Sequence, residues 1–342
     1  MNVLVTGSEG YIGAVLRDVI REHGHNVTGL DAGFFNECDF HKAPTTIPLI
    51  QKDVREIEEA DLSGFDAIMH LAALSNDPLG ALDATLTDAI NTRASLRLAE
   101  LAQRAGVERF IFASSCSLYG QGASEGLTED APFNPQSAYA RSKVEVEAGL
   151  QTLADDRFSP IYMRNATAFG LSPRQRFDLV VNNLAGWAFV ENRIMLTSDG
   201  SPWRPLVHIR DISRAFLCAL EAPREVVHNQ AFNVGSTKSN FQIATLARMV
   251  ARHFNDCEVV LGKGDGDTRT YNVDFTKIRT RLPGFQDCEI SVEDSIAELK
   301  AAFEELAFTD EHFHSRLYTR LKQIKHLQEA GRLDEQLFWR SA

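Results

Sequence analysis

Three observations predict a doubly wound α/β fold, a parallel sheet flanked by helices with a smaller α/β lobe attached. Short apolar runs fit for buried parallel strands recur along the chain, separated by helix-length segments. The first run, Asn2 to Thr6, passes at once into G-S-E-G-Y-I-G and a helical pattern from Tyr11 to His23. The second, His25 to Leu30, ends at Asp31, close to the ~20-residue spacing of a dinucleotide-binding unit.

The glycine stretch carries the first functional expectation. Gly7, Gly10 and Gly13 let the backbone turn sharply, approach a pyrophosphate and pack the helix on the strand, and the helix start at Tyr11 and Ile12 offers its positive end to the phosphates. Asp31 is placed to accept both ribose hydroxyls. A carboxylate there also repels a 2′-phosphate, and no arginine follows it directly, so NAD is expected over NADP.

Gln51 to Val54 reads as a further short strand, with Asp53 either accepting from the adenine amino group or serving as a solvated turn residue, and Val54 packing on the ring. Phe65 to Leu71 is a buried strand running into A-A-L-S-N-D-P. Leu71, Ala72 and Ala73 sit where a cofactor needs backbone room, and Ser75 follows as a substrate-side candidate. Ala81 to Ala105 is helical by period, and Asn91 within it is either a cofactor-side hydrogen-bonding residue or a polar position on a long helix. Glu108 to Ala113 is the next strand. It empties into S-S-C-S-L-Y-G, so Ser114, Ser115 and Ser117 are hydroxyls at the carboxyl end of a parallel strand, the end that faces the ligand crevice.

The chemistry is expected on the helix behind N-P-Q-S-A-Y-A-R-S-K, which Pro135 and Ser137 start. Tyr139 and Lys143 are one turn apart and share a face. A tyrosine titrating near ~10 is a poor base at neutral pH unless nearby positive charge lowers its pKa, and the lysine supplies that charge. Such a pair can take a proton from an alcohol or return it. Beyond it, Ser159 to Asn165 and Ala231 to Gly235 read as strands, Leu179 to Val190 and Phe241 to Phe254 as helices, and the chain from Ser291 onward as helical and charged.

Composition narrows the class. With 342 residues, 44% hydrophobic and 24% charged, the chain is an ordinary globular protein of one large or two smaller domains. A formal charge of −12 argues against a general nucleic-acid binder. The N-terminus has no signal-peptide pattern and no apolar stretch is long enough for a membrane span, so a cytoplasmic protein is expected. The five cysteines are scattered without metal-ligand spacing, and no metal site is expected.

From T-G-S-E-G-Y-I-G through H-L-A-A, S-S-C-S-L-Y-G, Y-A-R-S-K and M-R-N-A-T-A-F-G to R-P-L-V-H-I-R-D-I and F-N-V-G, the chain resembles the extended short-chain dehydrogenase/reductases of the nucleotide-sugar epimerase/dehydratase group, the UDP-galactose 4-epimerase-like family. The resemblance covers roughly residues 1 to 280. It implies a Rossmann domain at residues 1–164, rejoined by 206–235, and a nucleotide-sugar-binding lobe from 165–205 and 236–342. It implies Ser115 as the catalytic Ser/Thr, Tyr139 as acid/base and Lys143 on the cofactor ribose. Asn165, Asn183 and Arg204 resemble positions that contact the diphosphate or sugar, with an arginine stacked on Trp203 as the other reading of Arg204. Arg174, Arg176 and Asp178 are lobe candidates without a role. For His208 a buried, satisfied histidine is preferred to a catalytic one. Asp267, Asp274 and Lys277 match a further family segment, but the family arginine facing the nucleotide falls on Gly264, leaving Arg269 or Lys263 as substitutes.

The implied function is NAD-dependent epimerisation of a nucleotide diphospho-sugar at C4, through a keto-sugar, in a homodimer built on the helices around Ala84 to Ala105 and Gln136 to Leu153. Family dehydratases carry an Asp-Glu pair directly after the catalytic Ser/Thr. Here Cys116 and Ser117 stand there, which disfavours dehydration and leaves Cys116 as an acid/base only if its pKa is lowered. Ketosugar reduction, dehydration and an inactive dinucleotide sensor are the alternatives. Glu311 to Trp339 extends beyond the match, over the sugar lobe or onto a partner subunit.

Overall fold

The structure, a computed structural model, describes residues 1–75, 80, 83–120, 126–263 and 269–340. The chain lays down β1 (Asn2–Thr6), β2 (Asn26–Asp31) and β3 (Leu49–Gln51), then β4 (Ala67–His70), β5 (Arg109–Ser115) and β6 (Ser159–Asn165). It leaves through β7 (Thr167–Phe169), β8 (Arg193–Met195) and β9 (Trp203–His208), and returns with β10 (Gln230–Val234). The main sheet is ordered β10-β6-β5-β4-β1-β2-β3 and is parallel at every step. The winding therefore reverses between β1 and β4, and the crevice beyond the strand carboxyl ends at such a reversal is where ligands bind. β4 and β6 are buried at every residue, which is why these strands read as continuous apolar runs rather than alternating ones.

The helices α1 (Gly13–Glu22), α2 (Ala84–Thr87), α3 (Ala94–Arg104) and α4 (Ala138–Leu153) cover the first six strands. A π-helical turn, Asp88–Arg93, joins α2 to α3, so the expected single helix is interrupted; Ala81, where it was to begin, lies outside the described residues. Ser137 caps α4 by accepting the Ala140 N–H at 3.1 Å. The expected strand from Gln51 to Val54 is displaced: β3 ends at Gln51, because Asp53 accepts the Arg55 N–H at 2.8 Å and caps a short helical turn instead.

In the second half come α5 (Val180–Glu191), α6 (Ile209–Glu221), α7 (Arg224–Val227), β11 (Asn240–Gln242), α8 (Ile243–His253), β12 (Glu258–Val260), α9 (Thr276–Arg281), α10 (Val292–Glu305), α11 (Asp310–His314) and α12 (Arg320–Glu329). The lobe holds two small sheets, β11-β9-β7 and β12-β8, around an apolar core that includes Phe177, Leu184, Val250 and Phe303.

Residues 236–342 do not all belong to that lobe, which corrects the expected division. Phe275, Ile278 and Leu282 join the core of Val3, Val5 and Phe216, and Ile324, Leu327, Leu333 and Leu337 join that of Leu4, Leu30 and Val54. The tail therefore divides: Phe313 and Tyr318 pack in the lobe core, while the chain from Ile324 onward folds back onto the dinucleotide-binding domain. A charged amphipathic segment carries no local signal of which apolar surface it will cover, so only the tertiary structure decides.

One buried polar network ties α4 to the sheet. Arg164 Nη2 lies 2.7 Å from Glu147 Oε2, and the Ser114 hydroxyl donates to Glu147 Oε1 at 2.5 Å. Arg164 Nη1 also donates to the Tyr119 hydroxyl at 3.0 Å, and that hydroxyl donates to Asn233 at 2.7 Å. Glu147 is 1% exposed and Arg164 4%, so removing one partner strands the other charge in the interior. Glu147→Leu alone is expected to lower unfolding free energy in urea by about 3–5 kcal/mol, and Glu147→Leu with Arg164→Met by less than the sum of the two single losses.

Candidate active site

A cleft of about 580 Å³ opens at the carboxyl ends of the strands, between the main sheet and the lobe. The glycine loop floors it. Gly7 has φ +71°, and a Cβ there would stand 2.8 Å from the Ala72 backbone nitrogen; a Cβ on Gly13 would collide with the Gly7 carbonyl. These two glycines let the β1 and β4 loops meet and α1 press against the strand. Gly10 and Ile12 line the cleft beside the α1 N-terminus. Tyr11 lines it too, but its hydroxyl donates to Gly170 O at 2.7 Å, so its side chain is committed to the lobe.

Asp31 lies at the end of β2 and lines the cleft. Its carboxylate accepts the Glu9 N–H at 3.0 Å and the Gly33 N–H at 2.8 Å, which leaves further lone pairs for two hydroxyls. Burial raises its pKa, opposed by those two N–H groups. Val54, Leu71, Ala72 and Ala73 line the same wall. Asp53 lines it as well, but Arg55 takes both its oxygens, at 2.9 and 2.8 Å. The cradle thus fits a dinucleotide: close-packed glycine backbone for the phosphates and a carboxylate with spare acceptors for a ribose.

Tyr139 and Lys143 line the cleft from α4, and the Lys143 ammonium lies 5.5 Å from the Tyr139 ring centre. Lys143 Nζ donates to Ala113 O at 2.8 Å and is otherwise enclosed, so burial pushes its pKa down to about 7, with Glu147 opposing. Across from it, Ser115 Oγ accepts the Ser117 N–H at 3.2 Å and keeps its own O–H for a ligand. Ser117 lines the cleft, and its buried hydroxyl has no partner among the described residues. Asn165 likewise lines the cleft with an unpartnered Oδ1. Ser75 accepts from Arg176 Nη1 at 3.1 Å, and Arg176 is held by Asp178 at 2.8 and 3.0 Å. Arg269 lines the far side with Arg204, which lies 5.4 Å from the Tyr271 ring centre rather than stacking on Trp203.

Three expected contacts fall elsewhere, and a fourth is only partly met. Asn91 is turned inward, accepting the Leu74 N–H at 2.8 Å and donating to Leu74 O at 3.2 Å, so it braces the β4 loop from behind. The Cys116 thiol points to Arg164 O at 3.1 Å, and burial drives its pKa far up, the opposite of what an acid/base would need. Asn183 donates to Phe177 O at 2.8 Å and does not line the cleft. Ser114 does line the cleft, but its hydroxyl belongs to Glu147. Each turns on a single side-chain orientation within a correctly placed element, which residue order does not encode.

His208 caps α6 by accepting the Arg210 N–H at 3.2 Å and is 1% exposed. Asp274 accepts the Thr276 N–H at 2.8 Å at the start of α9, and Lys277 donates to Gln230 at 3.2 Å, so both fasten that helix. Gly264 and Asp267 lie outside the described residues. Sequence reading missed Glu9, whose carboxylate is paired with both Arg17 and Arg174, and Arg320, which lines the cleft from the tail. An acidic residue inside the glycine stretch was the available signal for the first. Among the described residues, no three His, Cys, Asp or Glu side chains are grouped to hold a metal, and no helix is long and apolar enough to cross a membrane.

Comparison with known proteins agrees with this geometry. Residues 3–235 match the model of the NAD dependent epimerase/dehydratase family. A UDP-glucose 4-epimerase of Corynebacterium glutamicum is 30% identical over 87% of this chain and 95% of its own length. The structure of MoeE5 in complex with UDP-glucuronic acid and NAD superposes with a TM-score of 0.78 at 25% identity, covering 90% of this chain and 100% of that one. TunA, an NAD dependent NDP-hexosamine 5,6-dehydratase, superposes equally well, with a TM-score of 0.78 at 25% identity over 89% of this chain and 98% of its own.

The buried lysine sets a pH dependence. Unfolded, it keeps its proton to ~10.4, whereas in the ligand-free fold it releases it near pH 7. The unfolded state therefore binds more protons between these values, and stability rises with pH there. Relative to Lys143→Met, the wild-type protein should gain on the order of 2 kcal/mol in urea unfolding between pH 7 and 9. A flat difference would place the lysine in a solvated site.

Proposed function

This chain belongs to the NAD-dependent epimerase/dehydratase family, and we propose that it epimerises a nucleoside diphospho-sugar at C4 through a transient 4-keto-sugar. The observation that carries the reading is the convergence of Ser115, Tyr139 and Lys143 on the one cleft that the glycine loop and Asp31 also line. When bound, NAD supplies the oxidant that takes the hydrogen from the sugar carbon and the reductant that gives it back. Tyr139 removes the hydroxyl proton as the carbonyl forms and returns it to the same oxygen when the ring presents its other face. Ser115, with its N–H partner already in place, donates its O–H to that oxygen. Lys143 holds the cofactor ribose and, when protonated, favours the ionised tyrosine. Asn165 and Ser117, with unpartnered polar atoms in the cleft, are suited to sugar hydroxyls, and Arg204, Arg269 and Arg176 to the diphosphate end.

The names of relatives support C4 and a uridine nucleotide, and the similarity to TunA keeps dehydration as the second reading. Against it, the residue after Ser115 is a thiol facing away, the next is a hydroxyl, and Asp53 and Asp178, which also line the cleft, are each engaged by an arginine. A homodimer through the helices around Ala84 to Ala105 and Gln136 to Leu153 is part of the proposal, and a monomeric mass by light scattering at all concentrations would reject it.

UDP-glucose incubated with the NAD-loaded protein should give its C4 epimer with no stoichiometric change at the NADH absorbance band. One-to-one NADH consumption with a ketosugar would establish a reductase, and loss of water by mass spectrometry a dehydratase. Tyr139→Phe should lower turnover about 10²- to 10⁴-fold while leaving the fold intact.

A further inference from the structure

Arg320 opens α12, far along the chain from every element that first built the cleft. It is 2% exposed and lines the cleft, as does Ile324 one turn later. Its Nη2 donates to Arg174 O at 2.8 Å, and its guanidinium lies over the Phe35 ring at 4.2 Å. Its Nη1 has no hydrogen-bond partner among the described residues. The contrast with its neighbours is plain. Arg174 is paired with Glu9 and Asp39, and Arg176 with Asp178, whereas no carboxylate pairs with Arg320 among the described residues. Burial, then the charge of Arg176, lowers its pKa to about 10, which still leaves it cationic at neutral pH.

A desolvated, unpaired cation with an orphan donor is unfavourable unless something in the cleft completes it. An anion with several acceptor oxygens does so, and a guanidinium is shaped for phosphate oxygens. The position favours one source. Arg174, whose carbonyl Arg320 holds, reaches Glu9 in the glycine loop at 3.2 Å, and Phe35 follows the strand that ends in Asp31. We propose that Arg320 binds a diphosphate, that of the dinucleotide cofactor, so that the tail completes the cofactor site. The tail is fastened there by Arg316 and Arg332 on Glu37, at 3.3 and 2.8 Å, and by Trp339 Nε1 donating to Ala32 O at 2.6 Å.

The test is calorimetry on Arg320→Met with NAD, with adenosine, and with UDP on the NAD-loaded protein. NAD should bind about 10- to 100-fold more weakly, while adenosine and UDP change by less than about twofold. Equal weakening of adenosine would show that no phosphate is involved, and weakening of UDP alone would assign Arg320 to the nucleotide sugar; either result, or unchanged NAD affinity, overturns the proposal. Ligand-free Arg320→Met should melt no lower than wild type, since it loses an unpaired buried charge, and NAD should raise its melting temperature less. If that variant does not fold, Arg320→Lys decides: it should keep NAD binding within about threefold, and a loss of about tenfold or more would rule out a charge-based role. None of these readings requires turnover, so they stand or fall apart from the epimerase assignment.

Discussion

The pairing of Glu147 with Arg164 is the constraint on which the site depends. Glu147 sits one turn beyond Lys143 on α4, and Arg164 near the end of β6, so the ion pair sets how deeply the helix seats against the sheet. The Ser114 hydroxyl joins from β5 and fixes the strand whose next residue is Ser115. The two halves of the catalytic group, one on a helix and one on a strand, are thereby brought into register by a single buried charge pair. Such a pair adds little net stability over an apolar core, but it admits few geometries, because any slip leaves a charge unpaired.

Electrostatically, the cleft inverts the molecule that carries it. The chain has a formal charge of −12, yet among the described residues the lining includes Lys52, Lys143, Arg176, Arg204, Arg269 and Arg320 against only Asp31, Asp53 and Asp178. Two of those carboxylates are neutralised by arginines, and the third is held by backbone N–H groups. A local surplus of positive charge in a low-dielectric recess attracts ligands bearing phosphates, while the acidic exterior repels polyanions in general.

Much of this was legible because it is local. A buried parallel strand, a glycine loop, an acidic strand end and a tyrosine and lysine one turn apart each occupy a few consecutive residues, and each was found where its spacing placed it. What was not legible depends on rotation or on distance in sequence. Asn91, Cys116 and Asn183 lie in correctly read segments but turn away from the cleft, since a period shows which face is apolar and not which way one polar atom points. Arg320 and Glu9 are brought near one another only by the tail's return and by Arg174 between them.

That return also bears on how the protein is made. Leu4 and Leu30, synthesised about 300 residues earlier, share an apolar cluster with Leu333 and Leu337. Closing so long a loop is entropically unfavourable until the contacts it permits are present. During synthesis, the N-terminal domain must keep one apolar face uncovered until residues near 333–337 have left the ribosome. Apolar surface left open on an incomplete chain is the kind that favours aggregation until the covering residues arrive.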